Sequence, residues 1–138
     1  MIIRYQFFED EKLLIIRYEG VFSIDQFKKA AIEMQKKNSF KNLKSLFIDL
    51  RDIITGKNFL VFNELIKVRN ASHFKGYKVA YLVEDPKILV NIHLYKDHIN
   101  SADYQYFSTL EPCINHLEIS ISNEEIEKRI NELKNTIS

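Results

Sequence analysis

Apolar and polar side chains alternate at the start of the chain: Ile3, Tyr5 and Phe7 are separated by Arg4 and Gln6. Beyond the acidic stretch Glu9-Asp10-Glu11, Leu14, Ile16 and Tyr18 alternate with Arg17 and Glu19. A period of two in both segments predicts an antiparallel hairpin with one buried face. Gly20 interrupts the alternation. Ser23 then opens a helix, with Gln26 completing a capping box and Phe22 placed to staple onto Phe27. Phe27, Ala30, Ala31 and Met34 form its inward stripe, and Lys28, Lys29, Glu33, Lys36 and Lys37 the outward side.

The pattern changes at Ser45-Leu-Phe-Ile-Asp-Leu-Arg-Asp-Ile53. A nearly continuous apolar run from Leu46 to Leu50 suits a strand covered on both faces, and the charged carboxyl end of such a strand is where open α/β sheets hold their binding surface. Thr55-Gly56-Lys57-Asn58 makes a turn into a helix over Phe59–Arg69, and Gly76 punctuates the next boundary. Lys78–Val83 reads as a buried strand. Asp85-Pro86 opens a helix running to about His98, because aspartate can cap and proline suits the first helical position. Tyr104–Phe107 gives a short strand, followed by Leu110, Cys113, Ile114 and Leu117 at helical spacing. A last helix follows Ser122, whose capping-box partner is Glu125.

The order predicts an α/β fold: a single mixed, largely parallel sheet with an N-terminal antiparallel hairpin, flanked by helices, with an extra C-terminal helix. Residues 1–121 form the α/β domain and residues 122–138 the amphipathic helix. Its stripe, Ile126, Ile130, Leu133 and Ile137, is too narrow to cover a sheet. It is expected to dock in a groove, on its own domain or as the seam of a homodimer, with helix Phe59–Arg69 a place for it to land.

Composition narrows the function classes. The chain has 138 residues, 46% apolar and 28% charged, enough for one domain with a core and no disulfides. Twenty basic and nineteen acidic side chains give a net charge of +1, which offers no basic field for nucleic acid. The lone cysteine and a start without a secretory stretch predict the reducing cytoplasm, and the short apolar runs predict no membrane span. Three scattered glycines cannot build a dinucleotide or phosphate loop. The chain also lacks G-x-S-x-G, H-E-x-x-H and paired cysteines, so no enzyme, metal or cofactor is expected.

The candidate residues are therefore those of a binding surface. Asp49 interrupts an apolar strand. It either caps the following turn or pairs with a nearby lysine, or it joins Arg51, Asp52 and Thr55 in a rim that recognises a partner. Phe59, Phe62 and Ile66, with Val61, Leu65 and Val68, spread over about half the circumference of the next helix, more than one sheet face requires. The excess fits a second contact within the domain, a dimer surface or the wall of a ligand pocket. His93 and Asp97 share a helix face as a surface pair, His98 complements a helix end, and His73 and His116 have no convergent partner in sequence. Cys113 belongs to an apolar stripe and reads as core.

The hairpin, Leu-Phe-Ile-Asp-Leu-Arg-Asp, Lys-Val-Ala-Tyr-Leu-Val-Glu-Asp-Pro and Tyr-Phe-Ser-Thr-Leu-Glu-Pro-Cys-Ile-Asn-His-Leu together resemble the STAS-like domains, relatives of the sporulation anti-sigma-factor antagonist, over about residues 1–117. A lipid-binding CRAL-TRIO-like branch is grouped with them. The resemblance implies a non-catalytic cytoplasmic module that binds a protein partner or, alternatively, carries a small apolar ligand. In the antagonists an Asp-Ser pair after the central strand carries a phosphorylated serine. Here Ile53-Ile54-Thr55-Gly56 stands in its place, and Thr55 is only a distant substitute.

Overall fold

The structure is a computed structural model that describes residues 1–54, 77–88 and 103–134. Strands β1 (Ile2–Phe8) and β2 (Leu13–Val21) form the antiparallel hairpin, with Ile3 opposite Tyr18 and Phe7 opposite Leu14. Strands β3 (Ser45–Ile54), β4 (Lys78–Leu82) and β5 (Asp103–Phe107) follow, each parallel to the one before. Their order across the sheet is their order in the chain, β1-β2-β3-β4-β5, which places β3 at the centre.

Both faces of this sheet are covered. On the first, Leu14, Ile16, Leu46, Ile48, Val79 and Tyr81 pack with Met34 of helix α1 (Ile24–Gln35) and Phe40 of a 3-10 turn at Asn38–Asn42. On the second, Leu13, Ile15, Phe47, Ala80 and Leu82 pack with helices α2 (Leu110–Leu117) and α3 (Asn123–Lys134). The alternate side chains of one strand thus feed two cores, the reason the Leu46–Leu50 run is apolar at consecutive positions.

The helix starts follow their local chemistry. Ser23 Oγ accepts from the Gln26 N–H at 3.4 Å, and the Phe22 and Phe27 rings lie 6.0 Å apart, as the staple requires. Ser122 Oγ accepts from the Glu125 N–H at 3.1 Å. Asp85 Oδ1 accepts from the Lys87 N–H at 2.9 Å where residues 86–88 turn helical. The rest of that helix, Gly76 and the expected helix Phe59–Arg69 fall outside the described residues.

Two local expectations are corrected. The second hairpin strand is buried on both faces, from Leu13 through Tyr18, because Leu13 and Ile15 fill the positions that alternation assigned to solvent; the edge role belongs to β1. Nor does Gly20 end β2, which continues to Val21. Gly20 instead takes φ +84°, a conformation that side chains disfavour, and a Cβ there would meet the Met1 Cα at an ordinary 3.8 Å, so the constraint is the backbone and not the space.

The C-terminal helix takes one of its two expected placements, on its own domain, and not the other. Ile126, Ile130 and Leu133 are buried against the second sheet face of their own chain, so the intermolecular seam assigned to them is not available there; Ile137 lies outside the described residues. Arg129 helps to fix the helix: its Cζ lies 4.2 Å from the centre of the Phe8 ring, and it pairs with Glu125 at 3.2 Å and with Glu11 at 2.9 Å. Leu13 and Ile15 leave a broad apolar surface on the sheet, which α2 and α3 fill together.

Candidate functional site

The charged end of β3 is built by an irregularity in the sheet. Arg17 pairs in register with Asp49 and Glu19 with Asp52, so β3 spends one residue more than β2 over the same distance. The extra residue is a β-bulge at Leu50-Arg51, which leaves a backbone N–H without its ladder partner. Asp49 Oδ1 accepts that N–H, from Arg51, at 3.0 Å. An aspartate in an otherwise apolar strand is thereby explained: it closes the bulge from within.

The same carboxylate is held by two guanidinium groups. Arg17 Nη1 donates to Oδ2 at 2.5 Å, Arg51 Nε to Oδ1 at 3.0 Å and Arg51 Nη2 to Oδ2 at 3.1 Å. Asp49 is fully buried and Arg17 is 2% exposed. Four donors saturate the carboxylate, which leaves it no lone pair for a substrate proton. The pairing extends outward: Arg17 reaches Asp52 and, at 2.8 Å, Glu19; Arg4 reaches Glu19 at 2.7 Å; Arg51 reaches Glu127 of α3 at 3.5 Å. A line of alternating charges therefore ties β1, β2, β3 and α3 together. Burial works against the charge of Arg51, yet the hydrogen bonds and charge of Asp49, with Glu127 and Glu84, outweigh it and hold the guanidinium above its ordinary pKa.

This geometry sorts the residues expected in the rim. Asp49 is not on it: the bulge and the two arginines draw it under the surface, where it pairs with arginine and not with lysine. Arg51 is partly buried and Asp52 is 56% exposed. Thr55, Phe59, Phe62 and Ile66 lie outside the described residues. The sequence reading missed Arg17, Glu19 and Arg4. The arginine of one strand and the first aspartate of the next, each four residues past the aligned pair Leu13 and Ser45, are the signal that identifies the buried pair once the strands are known to be parallel.

Elsewhere, Cys113 is buried and its thiol is pushed up to about 12 by desolvation and by the charge of Asp49, against a smaller opposing effect of Arg51. His116 stands 5.8 Å from the ring of Phe107. Both border a depression of about 900 Å³ at the carboxyl end of β5, which is open to solvent and mixes Leu110 and Pro112 with Thr109 and Asn115. Among the described residues no three His, Cys, Asp or Glu side chains are grouped so as to hold a metal ion, and no helix is long and apolar enough to cross a membrane.

A five-stranded mixed sheet with an antiparallel hairpin at one edge and helices on both faces is a SpoIIAA-like fold, and that is the fold of this chain. It is similar to an uncharacterised protein of the DUF3478 family with a SpoIIAA-like fold from Shewanella loihica PV-4, at 11% identity and a TM-score of 0.60, over 84% of this chain and 92% of that one. It is also similar to an anti-sigma factor antagonist from Mycobacterium paratuberculosis, at 11% identity and a TM-score of 0.53, over 85% of this chain and 95% of that one. No protein-family model and no curated protein matches the sequence.

Proposed function

We propose that this chain is a non-catalytic regulatory module that binds a protein partner at the carboxyl end of its central strands. The observation that carries this reading is the saturated Asp49 carboxylate: the charged cluster is a fixed platform, held by four hydrogen bonds, and not a set of groups free to move protons. Arg51 and Asp52 stand at the edge of that platform, and the proposed binding surface extends to Thr55, Phe59, Phe62 and Ile66, which follow in sequence and lie outside the described residues. The fold shared with an anti-sigma factor antagonist supports the same class. Carriage of a small apolar ligand receives less support, since the depression beside β5 opens to solvent and carriers enclose their cargo.

Quantitative affinity capture tests the proposal, with the wild-type chain compared against Asp52→Ala and against the remote surface variant Lys41→Glu. The expected result is a set of proteins retained by wild type and by Lys41→Glu and lost by Asp52→Ala, each variant keeping a cooperative melt. Identical capture by all three, or a stoichiometric small molecule carried through non-denaturing mass spectrometry, overturns it.

A further inference from the structure

The second sheet face is covered by α2 and α3 only in part. Beyond Arg51 and Glu127, where α3 meets the sheet, none of the described helices lies over the ends of β1, β2 and β3. Register puts Ile2, Glu19 and Asp52 in one row across the three strands, and Val21 and Ile54 side by side in the next. Ile2 is 46% exposed, Val21 59% and Ile54 58%, three of the four large apolar side chains most open to solvent among the described residues. At strand spacings of about 4.8 Å the patch is roughly 10 Å wide, about two turns of a helix.

The charge around this patch differs from that of the whole molecule. Glu19, Asp49, Asp52, Glu84 and Glu127 meet Arg4, Arg17 and Arg51, five negative groups against three positive, while the chain carries +1 overall. Arg17 lies deep and Arg4 and Arg51 are partly buried, whereas Asp52 and Glu84 are exposed and Glu127 partly so. Three apolar side chains rimmed by outward carboxylates complement a surface of the opposite kind.

We propose that this patch binds an amphipathic helix of a partner protein, apolar on one side and carrying lysine or arginine beside it, which continues the helical layer that α2 and α3 begin. The inference rests on the protein-binding reading above and names the chemistry of that partner.

Fluorescence anisotropy with the full chain tests it, using a synthetic helical peptide with a leucine stripe flanked by lysines and a twin with glutamate at the lysine positions. The lysine peptide is expected to bind at least tenfold more tightly than its twin. Val21→Lys combined with Ile54→Lys is expected to weaken it at least tenfold, and Ile32→Lys, on the exposed side of α1, to leave it unchanged. A charge-only variant, Asp52→Asn with Glu127→Gln, is expected to weaken binding severalfold and to flatten its salt dependence; it keeps the test open if the lysine double variant fails to fold. Equal binding of the two peptides, or undiminished binding by the variants, overturns the proposal. So does light scattering that finds a wild-type dimer dissociated by the lysine double variant, since the occupant is then a second copy. If the proteins captured through Asp52 survive the lysine double variant, the patch falls and the module stands; if no such set exists while the peptide still binds selectively, the module falls and the patch stands.

Discussion

Asp49 accepts four hydrogen bonds inside a strand whose neighbouring side chains are largely apolar, and its removal deprives two guanidinium groups, rather than one, of their buried partner. Breaking a buried ion pair from one side costs about 3–5 kcal/mol, whereas replacing both partners with apolar groups of similar size costs far less. Asp49→Ala is thus expected to lose that amount in urea denaturation. Arg17→Met with Asp49→Leu is expected to lose less than the sum of the two single variants. Strict additivity in this double-mutant cycle would mean that the pair is not coupled. Cys113 supplies a second test at this scale. Its folded thiol titrates at about 12, above the ordinary value, so its contribution to stability is complete below the unfolded thiol pKa and is lost as pH rises toward 12. Native protein at pH 8 should therefore resist a thiol-disulfide reagent that labels the same cysteine promptly in urea. Prompt native labelling would place the thiolate at the surface. The sequence pointed to Asp49 as unusual but not to its partner, because Arg17 stands 32 residues away and only strand register joins them.

Among the elements, α3 depends on packing for its place. Ile126 and Ile130 are fully buried and Leu133 nearly so. At about 1.5–3 kcal/mol for each such side chain, their burial is comparable to the whole net stability of a small domain. Truncation after Leu117 is accordingly expected to abolish the cooperative melt. Ile130→Ala should cost about 2–5 kcal/mol, and Ser122→Ala, which removes the cap at 3.1 Å, about 1 kcal/mol. A truncated chain that melts like wild type would show the helix to be dispensable. The spacing of Ile126, Ile130 and Leu133 revealed a helix and its buried side. What it could not reveal was the surface beneath, since Leu13 and Ile15 lie more than a hundred positions earlier. The capping serines, by contrast, act over three residues and were legible directly.

At the scale of the molecule, β3 is central and Ile48 is 1% exposed in the first core. An unpaired carboxylate there has no neighbour to satisfy it, so Ile48→Asp is expected to unfold the chain, as circular dichroism would report. A melt within a degree or two of wild type would remove β3 from the interior. The mixed sheet was legible because strands buried on both faces and capped helices alternate along the chain. The bulge was not, because an extra residue in one strand exists only relative to its neighbour.

The strand order has a consequence for synthesis. Because neighbours in the sheet are neighbours in the chain, its strands can pair in the order in which the ribosome delivers them. The cover of the second face comes last: Arg129 must return across 118 positions to meet Glu11. Until α3 has left the exit tunnel, the nascent sheet presents Leu13 and Ile15 of β2 as a bare wall. Such a wall is what a holding chaperone recognises, so the aggregation risk of this sheet is greatest in the interval before α3 emerges.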